Sequence, residues 1–219
     1  MAIGTLYGPS PPNNSKISKC VVASKYAGIE VKQIPEFEVS KHAKEESYLK
    51  KFPLGEIPAF EGSDGLLLTE SSAIACYFAS QCDYLLGNDV KEKAQILRYV
   101  FFVESQINSF NPALLYPIFG LTTYNEEMAK IVQPRYENAL KVLNDEIGSK
   151  KFLVGNSITL ADIVVYCDLF NHFKHLIHSA LQQKLPNLKR YFEVLSKEKH
   201  FDIQGKLEFV SDPPNYSKA

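Results

Sequence analysis

The spacing of apolar residues changes once along this chain. Up to about residue 80 it is mixed. Gly4-Thr5-Leu6-Tyr7-Gly8 reads as a strand closed by glycine. Ile29-Glu30-Val31-Lys32-Gln33-Ile34 alternates apolar with polar, which predicts a half-buried strand that Pro35 stops. Ala59-Phe60-Glu61 and Leu66-Leu67-Leu68 read as two short strands, and the bend from Glu61 to Gly65 carries two glycines for positive φ, a hairpin signal. Between these lie helical spacings. Ile17, Cys20, Val21 and Ser24 share one side of a helix for which Ser15 is the expected N-cap and Gly28 the terminator. Ser40 to Phe52 is rich in Lys and Glu and predicts a short surface helix. Thr69-Glu70-Ser71-Ser72 then supplies helix-start chemistry ahead of Ala73, Ile74, Tyr77 and Phe78.

Beyond Gln81 to Asn88 every periodic segment is helical. Ile96, Val100, Val103, Ile107, Phe110 and Leu114 step by fours and threes until Pro112 and Pro117 disturb the run. Asn125 to Ile147 is a second helix with Pro134 as an expected kink, and further helices follow Asn156 and Pro186. Thr159-Leu160-Ala161-Asp162 precedes an apolar run with the spacing of a capping box, a structural signal. The expected fold is therefore α/β plus all-α. Its first part has the order β-α-β-α-β-β-α, a βαβ unit followed by a hairpin and a helix, which is the thioredoxin-like arrangement. The expected division is 1–82 for that domain, 83–88 for a linker and 89–219 for a helical bundle.

Composition narrows the partners. Of 219 residues, 45% are hydrophobic and 22% charged, with a net charge of −1. Lys and Arg number 8 against 9 Asp and Glu up to Cys82, and 16 against 16 after it. Neither part has the basic excess that nucleic acid or an anionic membrane would call for. Cys20, Cys76, Cys82 and Cys167 form no C-x-x-C pair and no zinc spacing, so buried thiols in a reducing compartment are expected. The start of the chain lacks signal-peptide character and no apolar stretch has the length of a membrane span, so a cytoplasmic location is the expectation. His172, His175 and His178 step by three, a poor arrangement for a metal, and are expected on a polar helix face.

The chemistry concentrates between Pro53 and Phe78. Ile57-Pro58 is a candidate cis peptide, where the chain turns its backbone toward an extended ligand. The helix opening at Glu70 and Ser71 is a ready anion site. Together they suggest a pocket for the backbone and free carboxylate of a small peptide.

These features in this order resemble the cytosolic glutathione transferase superfamily over essentially the whole chain. Within it, Gly4-Thr5-Leu6-Tyr7, the run from Phe52 to Gly62, Glu70-Ser71 with Ala73-Ile74-Ala75, and Phe152 to Gly155 with Thr159 to Ile163 look like the N-terminal domain of the gamma subunits of eukaryotic translation elongation factor 1. That resemblance implies glutathione as substrate or ligand, with no metal. Ile57 and Pro58 would meet its cysteinyl part, and Ser71 and Glu70 its γ-glutamyl end. Among Lys50, Lys51 and His42, with Lys51 favoured, one would meet the glycyl carboxylate. A catalyst needs in addition a donor that stabilises the thiolate. Ser10 and Ser15 are the alternatives, and Tyr7 belongs to the strand. The resemblance implies a homodimer and, as partners, the nucleotide-exchange subunits of the elongation factor. Two readings follow: a scaffold domain in protein biosynthesis, or a glutathione transferase acting on apolar electrophiles, for which Tyr99, Phe102, Leu115, Tyr116 and Phe119 are candidate pocket residues.

Overall fold

The computed structural model describes residues 1–12 and 14–216. Asn13 and residues 217–219, which the expected loop and the expected second domain include, lie outside them. Strand β1 (Gly4–Tyr7) leads through helix α1 (Ser15–Tyr26) to β2 (Lys32–Gln33), and two short helices, α2 (Val39–His42) and α3 (Glu46–Leu49), lead to the hairpin β3 (Ala59–Gly62) and β4 (Leu67–Leu68). Helix α4 (Ser71–Ala79) closes this half. Among the described residues the strands form one mixed sheet in the order β2-β1-β3-β4. β1 pairs parallel with β2, as a βαβ crossover requires, and antiparallel with β3, with Leu6 opposite Phe60.

The second half is helical. Helix α5 (Val90–Gln106) is followed by α6 (Asn111–Leu114), α7 (Glu126–Ile147), α8 (Leu160–His175), α9 (Ser179–Lys184) and α10 (Pro186–Leu195). One apolar core runs from Leu6, Phe60 and Phe78 of the first half to Val164, Phe173 and Phe192 of the second. Each such fully buried aromatic contributes about 2 kcal/mol relative to exposure. Helix α1 packs against both α4 of its own half and α8 of the other.

Several local expectations are corrected. The N-cap of α1 is Asn14, whose Oδ1 accepts from the Ile17 N–H at 3.1 Å; Ser15 is the first helical residue. Asn14 wins because its backbone is still extended, where a capping side chain must sit. The alternating run from Ile29 to Ile34 yields only a two-residue edge strand, since only Lys32 and Gln33 pair with β1. Ser40 to Phe52 divides into two helical turns. The run from Ile96 to Leu114 is not one helix. α5 stops at Gln106, and 3₁₀ turns with α6 place Pro112 and Pro117 in first-turn positions, where their missing N–H costs nothing. The three histidines do not share a polar face. His172 is 1% exposed and hydrogen-bonded through Nδ1 to the Tyr136 hydroxyl at 2.8 Å, whereas α8 ends at His175 and His178 belongs to the next turn. Burial pushes the His172 imidazole down to about 3, so it stays neutral.

Candidate functional site

The loop that leads into β3 and the start of α4 line a cavity of ≈ 300 Å³. Phe52, Pro53, Leu54, Glu56, Ile57 and Pro58, from the loop ahead of β3, line it, and so do Thr69, Glu70 and Ser71 where α4 begins. The Ile57–Pro58 bond is cis, and so is Pro11–Pro12. Glu70 has φ 63°, a left-handed conformation that costs a non-glycine residue about 1–3 kcal/mol, and its side chain makes no cap to the helix. Ser71 is 5% exposed, begins α4 and lines the cavity, which places a helix start without a side-chain cap at its wall. Lys16 from α1 and Glu104 from α5 complete the lining. The cavity thus offers an anion site, a cation and three carboxylates (Glu56, Glu70 and Glu104), which suits a ligand bearing separate carboxylate and ammonium ends.

Ile57, Pro58, Glu70 and Ser71 are brought together here. Lys51 and His42 are not. They lie at a second, ≈ 140 Å³ cavity with Tyr7, Phe37 and Tyr48. There Lys51 Nζ is 2.7 Å from both oxygens of Glu61, and the Tyr7 hydroxyl donates to the same carboxylate at 2.6 Å. Lys51 and Tyr7 hold the Glu61 carboxyl below its usual range. The Phe37, Tyr48 and Phe52 rings pack on one another here, Phe37 and Tyr48 lining this cavity and Phe52 the first. His42 accepts from the Glu38 N–H at 2.8 Å and packs on Phe37. Ser10 is exposed, and Ser15 is half-buried at the first position of α1; the cavity is lined by Lys16 beside them, not by either serine. Tyr99 and Leu115 are core residues, 3% and 4% exposed.

Behind the cavity sits a group that sequence reasoning missed. Lys19 is 0% exposed and its Nζ donates to Ser72 Oγ (2.9 Å), Glu104 Oε1 (2.9 Å) and Asp168 Oδ2 (2.8 Å). It therefore joins α1, α4, α5 and α8. Burial pushes the Lys19 ammonium down, but Asp168 and Glu104 outweigh that and hold it well above its usual value. Burial likewise works against the Glu104 carboxylate, which Lys19, Asn108 and Ser72 nevertheless hold at about 2. The available signal was a lysine set among Ile17, Cys20 and Val21, and an aspartate inside the apolar run of α8. Among the described residues no group of three or more His, Cys, Asp or Glu side chains is placed to hold a metal ion. Also among them, no helix is long and apolar enough to cross a membrane.

A thioredoxin-like half carrying a cis-proline and a serine-headed helix at one cavity, packed on an all-helical half, is the architecture of glutathione transferases. Sequence comparison agrees in both halves. The model for "Glutathione S-transferase, N-terminal domain" matches residues 3–80, and that for "Glutathione S-transferase, C-terminal domain" matches residues 95–198. The chain belongs to the glutathione S-transferase family. Within it, the chain is similar to elongation factor 1-gamma. It is 37% identical over 204 residues to elongation factor 1-gamma-A of Xenopus laevis, covering 92% of this chain and 46% of that protein. It is 34% identical over 199 residues to elongation factor 1-gamma of Artemia salina, covering 91% and 45%. The solved glutathione-transferase-like domain of elongation factor 1-gamma from Saccharomyces cerevisiae superposes with a TM-score of 0.80 at 23% identity, over 98% of this chain and 100% of that one. The chain spans about half the length of the curated relatives it matches.

Proposed function

We propose that this chain serves protein biosynthesis as the glutathione-transferase-like part of an elongation factor 1-gamma type protein, working in the cytoplasm as a scaffold for nucleotide-exchange subunits. The observation that carries this reading is the 37% identity to an elongation factor 1-gamma sustained over 92% of the chain. A scaffold role also accords with a cavity that has kept its ligand-gripping wall while Ser10 and Ser15 stand outside its lining. Residues 1–82 and 89–219 act as its two structural units. The chain pairs with a second copy: Leu97 and Phe101, four residues apart on α5, are 41% and 67% exposed and offer an apolar stripe for that contact.

Glutathione is the proposed ligand of the cavity. Its γ-glutamyl carboxylate lies at Ser71 and the α4 N-terminus, and its cysteinyl part lies along Ile57. Lys16, the cation on the cavity wall, takes the glycyl carboxylate in place of Lys51 and His42. Ser71→Ala is expected to weaken glutathione binding about tenfold, ~1.4 kcal/mol, by titration calorimetry; an unchanged affinity would remove the serine from the site.

The formed cavity also supports an enzyme reading, and three measurements together separate the two. The chain is expected to be retained on immobilised glutathione, to conjugate chlorodinitrobenzene at close to the uncatalysed rate, and to pull down exchange-factor subunits. Robust turnover lost in Ser15→Ala or Ser10→Ala would instead make it a transferase.

A further inference from the structure

The Lys19 cluster does not balance its charge. Two carboxylates, Glu104 and Asp168, hold one ammonium, and their contacting oxygens lie 2.9 and 2.8 Å from the same Nζ. Like charges that share a buried site keep one proton between them. The surroundings decide which of the two takes it. The Glu104 side chain is 35% exposed and has donors on both oxygens: Lys19 and Ser72 on Oε1, Asn108 on Oε2. The Asp168 side chain is 1% exposed, and its donors, Lys19 and Asn108, both reach Oδ2. Among the described residues its Oδ1 has no hydrogen-bond partner.

A second buried oxygen is in the same condition. Asn111 Oδ1 is an acceptor with no donor among the described residues. Asn111 donates through Nδ2 to Asn108 Oδ1 (3.3 Å), and Asn108 donates through its own Nδ2 to Asp168 (3.3 Å). Those two bonds fix which end of each amide is oxygen. Asn111, Asn108 and Asp168 are therefore consecutive links of one chain. A single proton on Asp168 Oδ1 turns one of these two unpartnered acceptors into a donor.

We propose that Asp168 is held as a neutral carboxylic acid with its proton on Oδ1, so that a buried proton forms part of the latch between the two halves of the molecule. The groups interacting with it are Lys19 and Cys20 of α1, Glu104 of α5, Asn108 of the following turn and Cys167 of α8, with Ser72 of α4 bonded to Lys19 and Glu104 and Asn111 bonded to Asn108. Lys19 carries the one full positive charge among them, and Glu104 takes it up. Burial pushes the Asp168 carboxyl upward more strongly than Lys19 draws it down. Ionising Asp168 would divide Lys19 between two anions and leave a surplus negative charge behind the cavity wall that Glu104 lines. The latch is therefore alkali-sensitive.

The test uses the 219-residue chain and Asp168→Asn, which keeps an acceptor for Lys19 and puts an N–H donor in place of the proposed acid proton. Chemical denaturation of both is followed from about pH 5 to pH 8, above the ordinary aspartate value of about 3.9. A raised folded-state value means that the folded chain holds a proton the unfolded chain has released. Wild type then loses stability relative to the variant as pH rises, by up to about tenfold in the folding equilibrium constant per pH unit until Asp168 ionises in the fold. A ratio that is flat, or that moves in wild type's favour, overturns the proposal. So does failure of Asp168→Asn to fold, because a neutral acid must tolerate its amide. The carbonyl ¹³C resonance of Asp168 in wild type gives a second readout. It is expected at the protonated position at pH 6, and a carboxylate shift there overturns the proposal too.

Discussion

Asp162→Ala should cost this protein about 4 kcal/mol or more of folding stability, a loss at the upper end of what single substitutions do. Asp162 is 0% exposed at the third position of α8. Its Oδ1 accepts from the Leu153 N–H at 2.8 Å and the Tyr191 hydroxyl at 2.7 Å, and its Oδ2 accepts from the Thr159 N–H at 2.8 Å and the Thr159 hydroxyl at 3.0 Å. The alanine removes the helix cap and also leaves those donors unsatisfied in a closed interior, where each costs about 1–3 kcal/mol. Burial pushes the carboxyl upward and the four donors pull it back down. Urea denaturation measures the loss. A cost under about 1 kcal/mol, the size of a simple cap deletion, would mean the four donors find other partners.

Lys19→Met is the second large effect, expected at about 3–5 kcal/mol. The methionine fills similar volume, so packing is nearly conserved and the loss is electrostatic: the Glu104 carboxylate, which Lys19 neutralises, is left without its cation beside the buried Asp168. Adding Glu104→Gln to Lys19→Met should recover most of it, since removing both charges of a pair is far cheaper than removing one. Paired denaturation curves at neutral pH decide this. If the double variant is as unstable as the sum of the singles, then the two residues do not act on one another.

Legibility in the sequence followed the range of the interactions. The hairpin around Gly62 and Gly65, the Ile57–Pro58 turn and the Thr159–Asp162 box are each written in a few adjacent residues, and each stands in the structure. The cavity wall at Glu70 and Ser71 was readable for the same reason. Positions set by tertiary context were not. The length of β2 depends on what β1 offers it, and the end of α5 depends on how Asn108 reaches Asp168, 60 residues away. Lys51 looked like a ligand contact because Glu61, which captures it, is ten residues further along and on another element. Lys19 and Asp168 are separated by 149 residues, and no periodicity relates two positions so far apart.

The continuous core also bears on how such a chain can change over generations. It passes beneath the cavity through Phe60, Ile74 and Phe78, all 0% exposed, whereas Glu56 and Glu70 on the rim are exposed and Lys16 is half-buried. Substitutions at the rim touch little that holds the molecule together. A lineage on this fold is free to lose or replace its cavity chemistry while the surface it shows to partners stays intact, and inheritance of the shape is separable from inheritance of the reaction.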